Sequence, residues 1–294
     1  MPKPVFRFAP SPNGHLHLGH ALSALLNADA ARVMDGDLLL RIEDIDQARC
    51  TPALERDLLE DLTWLGVSFD GPVLRQSERF AIYQGALDRL TEMGLVYRGY
   101  LTRAEIKGFV SDFETGGDRW PRDPDGAPVY PGDHRVLAQP ELEKRAAGDM
   151  PYALRLNMAA ALDRIGTQLN WREAGAEGTA LFEPARRIGA DPAAWGDVVL
   201  ARKDTPTSYH LSVVLDDAAQ GVTDVLRGVD LRAATSVHRV LQALLDLPEP
   251  LYRHHRLVLG PDGRKLSKSN KDTSIRELRA QGISAAGIRT RVGL

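Results

Sequence analysis

The stretch "PVFRFAPSPNGHLHLGHALSALL", from Pro4 to Leu26, joins an alternating segment to a proline-rich turn and the opening of a helix. "PVFRFAP" alternates apolar and polar residues and stops at Pro10, as a short strand does. From His20 the apolar residues recur at helical spacing, and the run ends near Asp35-Gly36. Three of the eight histidines in the chain, His15, His17 and His20, fall within six residues at this junction. In a strand-to-helix turn, free backbone N–H groups and the helix dipole both favour an anion. His17 and His20 can donate hydrogen bonds to phosphate oxygens there, and Gly19 lets the backbone approach a ligand closely. Taken alone, so short a pattern also fits surface or capping histidines.

Working outward, "DLLLRIED" (37–44) has the nearly continuous apolar core of a buried parallel strand. "TPALERDLLEDLTWLGV" is a helix with Thr51 as N-cap and Pro52 at its first position. "SERFAIYQGALDRLTEMG" is another, with Ser77 as cap and Gly94 closing it. Strand–helix–strand–helix order indicates a doubly wound α/β sheet. Between Val96 and Gly189 the character changes, because "SDFETGGDRWPRDPDGAPVYPGDHR" is rich in Pro, Gly and Asp and has no sustained period. "MPYALRLNM" resumes a strand, and 195–228 supplies two or three strand-like segments. The expected division is therefore residues 1–95 as the first half of a nucleotide-binding domain and 96–189 as an insertion. Residues 190–250 form its second half, and 251–294 a lysine loop with a short helical C-terminus.

With 294 residues, 43% apolar and 26% charged, the chain can bury a sizeable core. No apolar run is long enough to cross a bilayer and no signal-peptide pattern opens the chain, so the expectation is a cytoplasmic protein. A single cysteine, Cys50, excludes an intramolecular disulfide and any Cys-rich metal cluster. The net charge of −3 hides an asymmetry: from Arg253 to Leu294 ten Lys/Arg stand against three acids. Such a segment is either a solvated tail or a face that binds a polyanion such as a nucleotide or RNA. Within it, "GPDGRKLSKSNKD" (260–272) sets Lys265 and Lys268 in a Gly- and Ser-rich loop. A loop of this kind can close on a polyphosphate and neutralise charge as a phosphate bond breaks, or can simply be solvated.

Order and spacing join these fragments. His17-Leu18-Gly19-His20 and Lys265-Leu266-Ser267-Lys268-Ser269 together resemble the two motifs of class I aminoacyl-tRNA synthetases. "RFAPSPNGHLHLGHA", "RIEDID", "GDVVLARKDTPTSYHLSVVLDD" and "GVTDVLRGVDL" are similar to the glutamyl branch, and the resemblance runs from about Phe6 to about Ser274. It implies a Rossmann-like doubly wound parallel sheet split by an insertion. It also implies adenylate chemistry on L-glutamate with ATP and Mg2+. On that resemblance His17, Gly19 and His20 take the ATP phosphates, and Lys268 with Lys265 the departing pyrophosphate.

Glutamate carries two carboxylates and an ammonium, so its pocket needs cations and at least one anion. Arg7 is the expected bidentate carboxylate partner, flanked by Ala9 and Ser11. Glu43, at the carboxyl end of a strand, is expected to pair with the α-ammonium. Tyr209 and Arg227 match the remaining glutamate contacts of the branch. Each alone also reads as an ion pair or a core tyrosine. Asp44 and Asp46 are left unassigned.

Two departures refine the expectation. The sequence stops at Leu294 without the helical anticodon-binding region of the full-length enzymes, and Ile45 stands in "RIEDID" where they usually have Thr. Both features resemble the shortened paralogs of this branch. They imply a monomer that activates glutamate without tRNA and transfers it to queuosine in the anticodon loop of tRNA(Asp). Alternatives are a minimal glutamyl-tRNA synthetase charging the 3′ end, or a non-catalytic nucleotide- or tRNA-binding paralog. Many relatives also hold zinc in the insertion, through a Cys-x-Cys and a later Tyr and Cys. Here Gly99 and Leu101 stand at the first two positions and Tyr130 and His134 at the others, so no zinc or other metal site is expected.

Overall fold

Two strands from the opening stretch and its neighbour start the sheet. β1 (Val5–Phe8) runs parallel to β2 (Asp37–Ile42), with Val5 opposite Asp37 and Phe8 opposite Leu40. Between them α1 (Leu18–Val33) covers the sheet with Ala21, Leu22, Ala24 and Leu25, all buried. This computed structural model describes residues 3–148, 150–175, 184–260, 263–264, 266 and 273–294. α2 (Pro52–Trp64) then leads to β3 (Leu74–Arg75), parallel to β2. The Thr51 hydroxyl accepts the Leu54 N–H at 3.3 Å and Pro52 opens α2, as the sequence indicates.

The helix expected to start at Ser77 starts later. Ser77 does not cap it, because both its N–H and its hydroxyl donate to the Asp44 carboxylate. The chain instead makes a 3-10 turn (Gln76–Glu78) before α3 (Phe80–Glu92). Asp44 thereby acquires a structural role, fastening the exit of β2.

β4 (Val96–Gly99) begins the insertion. After it come α4 (Arg103–Thr115), an irregular passage, α5 (Asp133–Val136), α6 (Gln139–Ala147) and β5 (Ala153–Leu156). α7 (Met158–Ile165) then leads to β6 (Asn170–Glu173), and β7 (Arg186–Gly189) pairs antiparallel with β6. β8 (Val199–Arg202) returns to pair antiparallel with β5. The chain closes with α8 (Tyr209–Ala219), β9 (Asp224–Gly228), α9 (Thr235–Leu244), β10 (Leu251–His255), α10 (Ile275–Ala280) and α11 (Ala285–Arg291).

The sheets do not follow the order of the sequence. β6 lies beside β10, with Glu173 opposite Tyr252, and brings β7 with it, across the expected division at 189. β8, beyond that division, completes the antiparallel β4-β5-β8 sheet instead. Within 195–228 two strands form, β8 and β9, and the stretch between them folds as α8. Its apolar residues Leu211, Val213 and Val214 bury against Val237, Val240 and Leu241 of α9, and tertiary packing overrides the β-preference of valine.

β9 and β10 pair in parallel, Asp224 opposite Leu251 and Gly228 opposite His255. β9 also meets β1 at its start: the Thr223 N–H donates to the Val5 carbonyl at 3.0 Å, and the Thr223 hydroxyl accepts the Val5 N–H at 2.8 Å. The strand order is thus 3-2-1-9-10-6-7, reversing direction between β1 and β9. Open α/β sheets bind ligands outside the carboxyl ends of the strands at such a reversal. Across it Asn27 of α1 donates its amide to the Leu226 carbonyl of β9 at 3.1 Å.

α10 and α11 pack Ile275, Leu278, Ile288 and Val292 into the core beneath α1 and α2. Their arginines are engaged in doing so. Arg276 and Arg279 pair with Glu60, Arg289 with Asp29, and the buried Arg253 with Asp224. Arg253, Arg276, Arg279 and Arg289 of the basic C-terminal segment are thus engaged in ion pairs within the protein.

Candidate active site

At the reversal, His17 is the N-cap of α1. Its Nδ1 accepts the Gly19 N–H at 3.1 Å, and its own N–H donates to His20 Nδ1 at 3.2 Å. The two rings lie 3.9 Å apart. Because each Nδ1 accepts, a neutral ring carries its proton on Nε2 and presents a donor there. Gly19 has a use the sequence reading missed. A Cβ at this position would lie 3.0 Å from His17 Cε1 and 3.1 Å from Nδ1, so the glycine makes room for the capping ring. His17, Gly19 and His20 all line a cavity of about 750 Å³. Ser274 bridges to His17, and the Ile275 N–H donates to the Leu16 carbonyl at 2.7 Å. The segment that follows the lysine loop is thus fixed against this turn, and Leu266 lines the cavity. Lys265 and Lys268 lie outside the described residues.

The other end of the same cavity holds the charged residues expected for an amino acid. Arg7, Glu43, Tyr209 and Arg227 converge there, with Ala9 and Ser11 in its wall. Arg7 Nε donates to Asp217 at 3.0 Å, and no described residue bonds its terminal nitrogens. Arg41, fully buried, places Nη2 2.8 Å from the same Asp217 carboxylate oxygen and Nε 3.6 Å from Glu43. Arg227 donates to the Tyr209 hydroxyl at 3.2 Å, to His238 Nδ1 at 3.2 Å, to Thr235 at 2.7 Å and to His254 Nε2 at 3.3 Å. Every one of these partners is neutral, yet Arg227 is only 5% exposed.

The charges do not balance. Three guanidinium groups (Arg7, Arg41, Arg227) face two carboxylates (Glu43, Asp217), which leaves a buried positive charge uncompensated. A buried unpaired charge is costly, so the site calls for an anion. Burial pushes the Glu43 carboxyl up to about 7, against the pull of Arg41 and Arg7. It is poised to ionise fully beside an added cation. An amino acid with two carboxylates and one ammonium carries one net negative charge and matches both demands.

The family profile described as tRNA synthetases class I (E and Q), catalytic domain, matches residues 4–292. The glutamyl-Q tRNA(Asp) synthetase of Rhodobacter capsulatus is 48% identical over 99% of this chain and 100% of its own length. The chain belongs to the glutamyl-Q tRNA(Asp) synthetase family of class I synthetases. The glutamate–tRNA ligase of Parasynechococcus marenigrum is 36% identical over 96% of this chain, which spans 56% of that enzyme. A solved glutamate tRNA ligase from Elizabethkingia meningosepticum, in complex with its amino acid, superposes with a TM-score of 0.69 at 28% identity. That superposition covers 92% of this chain and 53% of the ligase. The protein is thus an aminoacyl-tRNA ligase with the Rossmann-type catalytic fold of its family.

Against that family background, the insertion of this synthetase does not fit zinc. Gly99 and Leu101 have no ligand atom, and a Cβ on Gly99 would lie 2.8 Å from the Tyr130 hydroxyl and 3.0 Å from Arg155 Nε. The Tyr130 hydroxyl and the Tyr100 N–H both donate to Asp133, and Arg155 lies over the Tyr130 ring at 3.6 Å. A side-chain cluster occupies the knuckle.

The sequence reading named Arg7, Glu43, Tyr209 and Arg227 and missed the residues that hold them. Arg41 had a signal, a charge inside the apolar run "DLLLRI". Asp217 had a weaker one in the Asp pair after "VVL", and His238, Thr235 and His254 had none of local origin.

Proposed function

We propose that this enzyme activates L-glutamate with ATP, without needing tRNA, and transfers it to queuosine in the anticodon of tRNA(Asp), acting as a cytoplasmic monomer. The observation that carries the activation step is the uncompensated charge beside Glu43, in the cavity that also holds the His17–His20 turn. The terminal nitrogens of Arg7 hold one glutamate carboxylate, Arg227 and Tyr209 the other, and Glu43 the α-ammonium. Ala9 and Ser11 shape the wall beside them.

One carboxylate oxygen then attacks the α-phosphorus of ATP, and the bond to pyrophosphate breaks. His17 and His20 donate from Nε2 to phosphate oxygens, and Lys268 with Lys265 neutralises the departing pyrophosphate. Catalysis here is positioning and charge stabilisation, with no covalent enzyme intermediate. Magnesium accompanying ATP would supply further charge neutralisation at the phosphates. In the second step an acceptor hydroxyl oxygen bonds to the adenylate carbonyl carbon. The bond to AMP breaks, and AMP leaves with the electron pair while the hydroxyl proton is lost.

Support for the acceptor comes from the full-length match to a relative named for glutamyl-Q and tRNA(Asp). The test is glutamate-dependent ATP–pyrophosphate exchange without RNA, followed by labelled-glutamate transfer to tRNA(Asp) with and without queuosine. Exchange without RNA and label only on the modified tRNA are expected. Label on both tRNAs would point to the 3′ end and overturn the acceptor.

A further inference from the structure

A second cavity, of about 610 Å³, adjoins the first and shares Ser11, Asn13, Glu43 and Tyr209 with it. Its far wall combines the insertion around 123–130 with Trp195, Ser208 and His210. It therefore opens onto the place where activated glutamate would lie.

A hydrogen-bonded chain of fixed direction leads into it. Arg227 can only donate, so His238 Nδ1 accepts from it at 3.2 Å. A neutral His238 then carries its proton on Nε2 and donates it to His210 Nδ1, 3.3 Å away. His210 in turn must carry its proton on Nε2, and no described residue accepts it. The Trp195 ring packs nearly perpendicular to the His210 imidazole, with the ring centres 5.5 Å apart. Burial and the charge of Arg227 push His210 down to about 4, so near pH 7 this neutral tautomer is the one present.

We infer that His210 Nε2–H is a hydrogen-bond donor to the acceptor in this second cavity, orienting an oxygen of a hydroxyl-bearing group beside the glutamyl carbonyl. The inference rests on the reading above, that activated glutamate passes to an acceptor hydroxyl. The direction of the chain prevents His210 from taking the hydroxyl proton, because the lone pair needed at Nε2 is already used. His210 therefore selects and orients; it is not the base. The same chain ties the acceptor site to Arg227, which holds glutamate.

Two polar variants separate this role from a structural one. His210→Asn keeps an acceptor near the Nδ1 position for His238 but has no donor reaching the cavity. His210→Gln carries an amide N–H out to about the Nε2 position. The measurements are pyrophosphate exchange without RNA and single-turnover transfer from preformed adenylate to queuosine-containing tRNA(Asp). His210→Asn is expected to slow transfer about 10- to 100-fold more than exchange, the range for one lost hydrogen bond to a positioned group. His210→Gln is expected to recover most of the transfer. Parallel losses in both steps, or transfer by His210→Asn at the wild-type ratio, would overturn the assignment. Wild-type enzyme that exchanges but labels no queuosine-containing tRNA would refute the acceptor reading, and this inference with it.

Discussion

Arg7 and Arg41 share one carboxylate: Asp217 Oδ1 lies 3.0 Å from Arg7 Nε and 2.8 Å from Arg41 Nη2. Two guanidinium groups from neighbouring strands are thus held at fixed positions by one residue of α8. Arg7 keeps its terminal nitrogens for a ligand because its Nε, rather than its fork, meets the protein. Burial opposes ionisation of Asp217, but Arg7 and Arg41 lower it below the usual carboxylate range.

Replacing that carboxylate leaves Arg7 and Arg41 with Glu43 as their nearest remaining anion. Asp217→Asn should destabilise the protein by about 3–5 kcal/mol, the usual consequence of breaking a buried pair on one side. A urea titration should show a lower midpoint in the variant. A midpoint within error of wild type would mean that Glu43 alone can balance both arginines.

In the proposed binding mode, Glu43 should set the pH dependence of glutamate capture. Its carboxyl is pushed up to about 7 by burial, and only the ionised form attracts an ammonium. As pH falls below about 7 the proton occupies Glu43, so kcat/KM for glutamate should drop about tenfold per pH unit. Above 7 the profile should flatten. Glu43→Gln should bind glutamate poorly and lose this limb of the profile. A profile unchanged in Glu43→Gln would assign the titration to another group.

Gly19 tests the cap. Gly19→Ala brings a methyl to about 3 Å from the His17 ring, so the imidazole must shift and the Nδ1 to Gly19 N–H bond is strained. Loss of an N-cap bond costs about 0.5–2 kcal/mol in stability. The displaced Nε2 donor should lower the exchange rate further than the stability change explains. Thermal unfolding and exchange measured on the same preparation separate the two effects.

What the sequence disclosed was mostly local. The β1–turn–α1 unit and the Thr51–Pro52 start of α2 are written in adjacent residues, so periodicity and capping rules find them. Ser77 misled because its competitor, Asp44, is 33 residues away. The helix at 209–219 buries its valines against α9, a partner that no local pattern shows. Arg7 and Glu43 were legible through their motifs, but their shared charge balance with Asp217 spans 210 residues and exists only after folding. The partners of the basic C-terminal helices, Glu60 and Asp29, lie at the other end of the chain and are equally invisible to a local pattern.

Buried neutral histidines should make the protein sensitive to mild acid. Burial first, aided by Arg227, pushes His210 down to about 4 and His238 well below its ordinary value. Burial also brings His254 to about 4, against the pull of Glu173. In the unfolded chain these rings titrate near 6.5. Between pH 6.5 and 4 the unfolded state therefore binds more protons than the folded one, and stability falls as pH falls. Glu43 acts in the opposite sense across the same window, because its folded value lies above its unfolded one. Burial also lowers His255 and raises Asp61, so two carboxyls offset about two of the four histidines, which leaves at most about 3 kcal/mol per pH unit. Glu173, lowered to about 2 by hydrogen bonds that outweigh its burial, adds its own loss only below pH 4.5. Urea midpoints at pH 7, 6 and 5 should fall stepwise, and His210→Gln should flatten the slope by the share of one histidine. A midpoint constant from pH 7 to 5 would show that these rings accept protons in the folded state, and that Arg227 is not held by neutral partners.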